Sequence, residues 1–303
     1  KVTKEDVIGA VDPSTGAETG AQVIRQVCPR LGIVPGLILA PGWSQIPEVG
    51  LALAAKAAKI NGVYSAMALL DLDTSKAKKY TDTKNVKEES GYTSPFCYPL
   101  WPCDRVGEYI LAKSAVAGAM IQYMASDNED VPNQSPSNHL LGVGGQCLED
   151  GTEVYLDQDQ ANTVNGYGVT TAINQNGYRL WGNYTGAYPA SSDAKDIWFA
   201  VRRMFSWQGN NFIQTYFDEV DDPMNNVLVQ SVVDSENIRC SAYAPKYWAG
   251  ASIEYKSDDN PKTAILAGTM KFRQHIAPYT PAQEIVDIID YDTDTLAAAV
   301  GGN

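Results

Sequence analysis

The sequence is short of the residues that most often do chemistry. Its 303 residues include two histidines, His139 and His275, and five cysteines. Neither histidine has a carboxylate beside it in sequence, so a Ser–His hydrolase would have little to build on, and both read as structural side chains. The cysteines, Cys28, Cys97, Cys103, Cys147 and Cys240, are odd in number and none sits in a Cys-x-x-Cys pair. That argues against a disulfide framework and points to buried, reduced thiols in a cytoplasmic setting. Cations are scarce as well: 23 Lys and Arg stand against 36 Asp and Glu, a net charge of −13. Such a surface repels phosphate backbones, so no direct nucleic-acid partner is expected. Long hydrophobic runs are missing. The most apolar window, Ile110–Met124, carries Lys113 and is too short to span a bilayer, so no membrane insertion is expected. No signal peptide is visible, and a chain beginning at Lys1 rather than Met reads as a fragment or processed product.

Short motifs fail in the same way. Gly142-Val-Gly-Gly-Gln146 lacks the Gly-Lys-Ser/Thr of a phosphate loop. Trp43-Ser44 lacks the glycine spacing of a nucleophile elbow, and Ser44 reads instead as a helix N-cap. Asp71 and Asp73, at the end of an apolar strand, are a candidate cation or ligand site, against the plainer reading of a solvated strand end. Asp218-Glu-Val-Asp-Asp222 reads as an exposed acidic helix end. Asn183-Tyr-Thr185 fits a glycosylation acceptor, which matters only in a secreted protein. No cofactor, metal or catalytic residue is expected.

What is present is ordinary globular material, 44% hydrophobic and 19% charged. Ala17–Arg30 has helical spacing. Gly36–Ala40 and Val63–Asp71 are apolar strand-like runs around a helix at about Ile46–Lys59, a βαβ pattern that implies parallel strands. Phe96–Trp101 adds a possible strand, and Arg105–Ser126 reads as one long helix whose Gly107 and Gly118 suggest close packing. Val169–Asn174 and Tyr178–Trp181 read as a hairpin through Gln175-Asn-Gly177. Asp193–Asp218 and Met224–Trp248 are helical, Ser252–Lys256 a strand. Asn260-Pro261 supplies an N-cap and first-turn proline for a helix ending at Gly268. Thr269–Ile276 and Glu284–Tyr291 are strand-like, and Ala297–Asn303 reads as a mobile tail. The fold class is therefore mixed α/β: a parallel-type βαβ domain (1–150), a carboxy-terminal α+β domain (151–276), and a linker with a terminal strand arm (277–303).

One stretch is more specific. Asn176-Gly-Tyr-Arg-Leu-Trp-Gly-Asn183 closely resembles a motif of contractile tail sheath proteins, the family of myophage tails and R-type bacteriocins. Leu37-Ile-Leu-Ala-Pro-Gly-Trp-Ser44, Ser135-Pro-Ser-Asn138 with Gly142-Val-Gly144, and Trp198-Phe-Ala-Val-Arg-Arg-Met204 resemble further pieces of the family in the same order. The likeness runs from about residue 30 to 291. Family members carry roughly a hundred further residues before the segment matching Leu37, where this chain has 36, so the family's amino-terminal arm has no counterpart to assign here.

The resemblance implies a non-enzymatic subunit that polymerises helically around an inner tail tube and contracts to drive it through the target envelope. Its partners would be further copies of itself, the tube protein, and baseplate and tail terminator proteins. It would reside in a virion tail or bacteriocin particle assembled in the bacterial cytoplasm. Glu284, Ile285, Val286, Asp287, Ile288, Ile289 and Asp290 would be an arm lent to a neighbouring subunit, and Asn260, Lys262, Thr263 and Lys271 would lie in a tube-facing region. Two readings of Gly177, Tyr178, Arg179, Leu180, Trp181 and Gly182 stay open. In one, Trp181 stacks and Arg179 clamps a ligand. In the preferred one, Tyr178, Leu180 and Gly182 face one side of a strand and Arg179 and Trp181 the other, with Trp181 anchoring the domain junction through a large buried area. The alternatives are an α/β enzyme or binding protein using Asp71 and Asp73, and a static tube that never contracts.

Overall fold

The computed structural model describes residues 1–301. The chain opens with α1 (Lys4–Ile8), a 3-10 segment Gly20–Gln26 and α2 (Val27–Leu31). The helical pattern of Ala17–Arg30 is thus realised as two short pieces rather than one helix. Next come β1 (Leu37–Leu39), α3 (Pro47–Ala58), β2 (Met67–Asp71), α4 (Thr83–Ser90) and β3 (Cys97–Leu100). The three strands form one sheet in the order β1-β2-β3, all parallel, so the expected βαβ unit is present.

All five residues of β2 are buried, which explains its unbroken apolar run: a central parallel strand is covered on both faces. Its side chains divide by parity. Ala68 and Leu70 join Val49, Leu53, Ala54 and Ala57 of α3 in one core. Met67 and Leu69 join Tyr98 and Leu100 of β3, and residues from three later elements, in a second core.

The region read as a single helix from Arg105 is different. β4 (Cys103–Val106) and β5 (Tyr109–Leu111) form an antiparallel hairpin, and only then does α5 (Lys113–Ser126) begin. Gly107, with φ at +59°, makes the turn. The alanines of α5 mask the boundary, while Tyr109-Ile-Leu111 is good strand material. Gly118 does face its neighbours closely: a Cβ there would lie 3.5 Å from Leu39.

Asp71 explains where α5 starts. Its carboxylate accepts from the Ser114 backbone N–H at 2.8 Å and from the hydroxyls of Ser114 and Ser44, the latter at 2.9 Å. A carboxylate at the first turn satisfies an orphan N–H of the helix. Burial raises its pKa, and the Ser114 and Ser44 hydrogen bonds oppose that. Ser44 therefore does not cap α3, whose N-cap is Ile46 without a side-chain bond. Asp73 is engaged locally, accepting from Ser75 N and Oγ at 2.9 and 2.6 Å. Beside them Lys113 and Asp104 form a fully buried ion pair.

The remaining elements are β6 (Gly145–Cys147), which pairs with β4, α6 (Gln158–Gly166), β7 (Thr171–Asn174), β8 (Tyr178–Trp181), α7 (Ala194–Ile197), α8 (Phe199–Thr215), α9 (Asn226–Ala242), β9 (Trp248–Glu254), α10 (Lys262–Leu266), β10 (Arg273–Pro278) and α11 (Thr293–Ala299). β7 and β8 form the expected hairpin, and β9 pairs antiparallel with β10. A third core of Val131, Met204, Cys240, Tyr247 and Trp248 lies among α8, α9 and β9. The tail expected to be mobile contains α11 over Thr293–Ala299, capped by Asp292; residues 302–303 lie outside the described residues. Among the described residues all five cysteines are free, three of them buried.

Lys87 of α4 is buried, and among the described residues it has no carboxylate partner. Its ammonium donates to the carbonyls of Tyr167, at 3.0 Å, and Tyr188. Burial pulls its pKa down to about 8. Between about pH 8 and the unfolded value near 10.5, the unfolded chain holds a proton that the folded chain has shed, so this group adds stability as pH rises. Relative to Lys87→Met, the wild-type unfolding free energy is expected to climb by up to about 3 kcal/mol across that window. Urea titrations of both proteins at pH 7.5, 9 and 10 read this difference, and a flat difference would contradict the buried-ammonium assignment.

Candidate assembly surfaces

The hairpin bearing the Tyr-Arg-Leu-Trp-Gly stretch is locked into the body along both edges of β8. On one edge lies β7. On the other, the Ser135–Leu141 segment runs antiparallel: Asn138 N donates to Leu180 O at 2.6 Å, Leu180 N to His139 O at 3.0 Å, and Leu141 N to Tyr178 O at 2.9 Å. Side chains reinforce this pairing. Gly182 N donates to Ser137 Oγ at 3.1 Å, Ser135 Oγ donates to Asn183, and Arg179 donates to Asn138 O at 2.8 Å and Gln175 O at 3.1 Å. The Ser-Pro-Ser-Asn and Tyr-Arg-Leu-Trp-Gly pieces, some forty residues apart in sequence, are thus one hydrogen-bonded unit. The residue before β7 ties it to the parallel sheet, since Trp101 N donates to Thr170 O and Thr170 N to Pro99 O, both at 2.9 Å.

The strand's parity is as the sequence suggests, but one consequence differs. Tyr178 and Leu180 are buried, while Arg179 and Trp181 are half-buried. Leu180, not Trp181, enters the second core, beside Phe199, Met67 and Tyr98. Trp181 does not anchor the domain junction through a large buried area. Its indole lies in an open polar cleft and donates to Asn162 at 2.9 Å. The cleft is shared with Asn183, Tyr184 and Tyr188, and the start of the terminal segment, Pro281–Ile285, runs along it. Tyr184 stacks on Tyr188 and Trp198, with ring centroids 3.8 and 4.9 Å apart.

The junction belongs to α8, whose opening stretch Trp198–Met204 the sequence singles out for its resemblance but not for this role. Phe199 at its start lies in the second core, and Met204, just over one turn later, in the third. Farther along, Asn210 exchanges two hydrogen bonds with the Ser65 backbone, at 2.8 and 3.0 Å. A buried polar network joins α8 to α9 and β10. Glu236, fully buried, accepts from Gln208 at 2.6 Å, from Nε and Nη2 of Arg239 at 2.9 and 2.5 Å, and from Tyr216 at 3.1 Å; Gln274 closes it at 3.4 Å. Only the Glu236–Arg239 spacing was visible in sequence. The other members come from elements far apart along the chain.

Of the tube-facing candidates, Lys262, Thr263 and Lys271 are exposed, but Asn260 is buried. Asn260 is not the N-cap of α10, which is Pro261. Its amide braces the loop, donating to Lys256 O and Lys271 O at 2.8 and 2.9 Å and accepting from Lys271 N at 2.7 Å. The arm candidates Glu284–Asp290 carry no regular secondary structure and are exposed throughout. Among the described residues, no group of three or more His, Cys, Asp or Glu is gathered as a metal site, and no helix is long and apolar enough to cross a membrane. Asp71 and Asp73 do not form a joint site: the first is a buried cap and the second a local turn.

This fold is that of contractile sheath subunits. The sheath of an extracellular contractile injection system, the PVC sheath complex in its contracted state, superposes with a TM-score of 0.70 over 91% of this chain and 76% of that one, at 17% identity. The sequence is likewise similar to phage tail sheath proteins. It is 25% identical over 320 residues to the tail sheath protein of Burkholderia phage BcepMu, across 100% of this chain, and 27% identical over 197 residues to the major tail sheath protein of Serratia phage KSP20, across 62% of it. The chain spans 65% and 48% of these relatives' own lengths. No protein-family model matches it.

Gly182 ends the motif with φ at +152°, and a Cβ there would stand 2.5 Å from Thr170 Oγ1 and 2.9 Å from the Thr170 Cα. Gly182→Ala is expected to cost about 2 kcal/mol or more, from backbone strain and the displaced Thr170. A lower urea midpoint at unchanged slope is the signature, and an unchanged midpoint would show that the close approach is not required.

Proposed function

We propose that this chain is the structural subunit of a contractile tail sheath, polymerising helically around an inner tube and contracting to drive it through the target envelope. The observation that carries the reading is the terminal segment. Ile285, Val286, Ile288 and Ile289 are between 69% and 89% exposed, in a stretch that pairs with no strand among the described residues of its own subunit. A soluble body leaves such a run open only when another chain covers it. Added to a neighbour's sheet, each strand hydrogen bond contributes about 0.5–1.5 kcal/mol and each buried isoleucine about 1.5–3 kcal/mol. In the two-stranded β9–β10 sheet, the Asn237 amide of α9 engages the Ile253 backbone of β9, which leaves the outer edge of β10 for such an addition. The arm residues are Glu284, Ile285, Val286, Asp287, Ile288, Ile289 and Asp290.

In this reading the three-core body is a rigid brick and residues 277–303 are the tether. Contraction is then a change of packing between bricks that stay joined, with energy stored during assembly. The subunit would work with further copies of itself, an inner tube, a baseplate and a tail terminator, in a phage tail or bacteriocin particle assembled in a bacterial cytoplasm. α10 faces the tube, with Lys262, Thr263 and Lys271 available for contact and Asn260 holding the loop's shape.

Deleting residues 283–303 removes only exposed backbone among the described residues, so the truncated subunit is expected to fold with an unchanged midpoint and to form no tubes by electron microscopy. Normal tubes from the truncated chain would refute the arm. Lys262→Glu with Lys271→Glu is expected to weaken co-assembly with an acidic tube while leaving the monomer folded. Undiminished co-sedimentation would remove this face from the tube contact.

A further inference from the structure

α5 is apolar on two sides. One side enters the second core through Ala117 and Ile121. The other carries Ala115, Val116, Ala119, Met120 and Tyr123, which with Leu140 line an open groove of about 520 Å3. Apart from the Tyr123 hydroxyl, no side chain lining that groove is polar. Tyr123 is 69% exposed and Leu140 53%. The alanines at 115 and 119 stand one turn apart, and side chains that small let a second helix approach closely.

One charge stands at the rim. Arg179 lies opposite Leu140 in the pairing of β8 with the Ser135–Leu141 segment. Leu180 N donates to His139 O and Leu141 N to Tyr178 O, so the 140–179 pair is of the non-hydrogen-bonded kind, which brings two side chains close together. The Arg179 guanidinium donates to two backbone carbonyls, and among the described residues it makes no ion pair.

The far end of the chain carries the complement. α11 has seven residues, Thr293–Ala299, none of them buried. Leu296, Ala299 and Val300 recur at i, i+3 and i+4, which is an apolar stripe on one face. Asp290, Asp292 and Asp294 gather before the helix and in its first turn. Asp292 caps it, accepting from Thr295 N at 2.9 Å. A cap does not suffice, because isolated helices are marginal in water below about 12–15 residues. The rest of its stability has to come from a surface that buries the stripe.

We propose that α11 docks in the α5–Leu140 groove of a second copy. Leu296 and Val300 enter the groove, Ala299 passes over Ala115 and Ala119, and the acidic start of the helix lies toward Arg179. Apolar area is then covered on both partners, and in a chain of net charge −13 carboxylates meet a cation that has no other counter-ion. Only Tyr291 and Asp292 separate the arm from α11, so the helix leaves its own body when residues 284–290 do. Several neighbours meet in a helical array, and the copy that takes the strand need not be the copy that takes the helix. Helix and groove are different patches of identical subunits, so their contact propagates rather than closing on itself.

This inference rests on the polymerisation proposed above, and wild-type assembly separates the two: a wild type that forms no polymer counts against polymerisation itself. The test uses full-chain variants, each first checked for a wild-type circular-dichroism spectrum and melting profile. Copies carrying Ala119→Cys are mixed with copies carrying Leu296→Cys, assembled, and treated with a short bismaleimide. Linked dimers joined between positions 119 and 296, identified by peptide mass spectrometry, are expected from the mixture. Either variant alone is expected to give no more than the wild-type background from the native thiols. Absence of that link from assembled polymer would overturn the proposal. So would a link that forms inside a chain carrying both substitutions and not between chains in the mixture, which would place α11 in its own groove. Linking of Leu296→Cys copies to Val227→Cys copies instead, at an exposed position of α9, would place the helix elsewhere and also overturn it. Ala119 is exposed, so Ala119→Arg is expected to leave the fold intact, fill the groove, and cut the yield of sedimentable polymer roughly tenfold. Wild-type polymer from a folded Ala119→Arg variant would count against the docking.

Discussion

The constraint on which the rest depends is the double burial of β2. Five consecutive residues, Met67–Asp71, have no exposed face, so every other side chain is committed to a different core. α3 must cover one side, and α5, β8 and α8 must cover the other. The strand's last residue then leaves the apolar run and caps α5. One short strand thereby fixes the position of two helices and of the hairpin that carries the Tyr-Arg-Leu-Trp-Gly stretch. A polar substitution at Leu69 or Leu70 would disturb a whole core rather than one contact, because interiors are close-packed.

From that base the structure is a chain of dependencies. The second core receives Leu180 and Phe199, so it sets the angle at which α8 leaves the parallel sheet. α8 carries Met204 into the third core and Gln208 into the Glu236 network. A buried Glu bonded by an arginine fork, a glutamine and a tyrosine permits few alternative packings, since any slip leaves a buried carboxylate unpartnered. The body is thus built against internal rearrangement. That suits a subunit whose proposed work is done by moving as a unit, with the terminal segment left to absorb the change.

Much of this was legible in the sequence, for identifiable reasons. The βαβ unit was readable because β1 and β2 are short apolar runs bounded by turn residues. The β7–β8 hairpin was readable because Asn176-Gly177 needs positive φ at both residues. Two features misled. The alanines of α5 extended a helix back over the β4–β5 hairpin, and Ser44 and Asn260 looked like caps when their side chains hold distant backbone. Side-chain polarity alone does not distinguish a capping serine from one that bonds a carboxylate 27 residues away. Trp181 was given the junction because large aromatics usually dominate burial, yet strand parity puts it on the open side and gives the role to Leu180. The partners of Glu236, and the pairing of Ser135–Leu141 with β8, are long-range and left no local periodic signal.

The terminal segment has one further implication. Its backbone is accessible and unpaired in the lone subunit, whereas the three-core body offers a protease few loose places to bind. Ageing of free subunits would therefore begin at residues 279–291 and leave compact stumps that are still soluble and still folded. If residues 277–303 are the tether proposed above, such stumps would occupy a lattice position without passing a connection onward, and a small clipped fraction would act as chain terminators. In a polymer whose length matters, protection of that segment before incorporation would control quality more strongly than the thermodynamic stability of the fold.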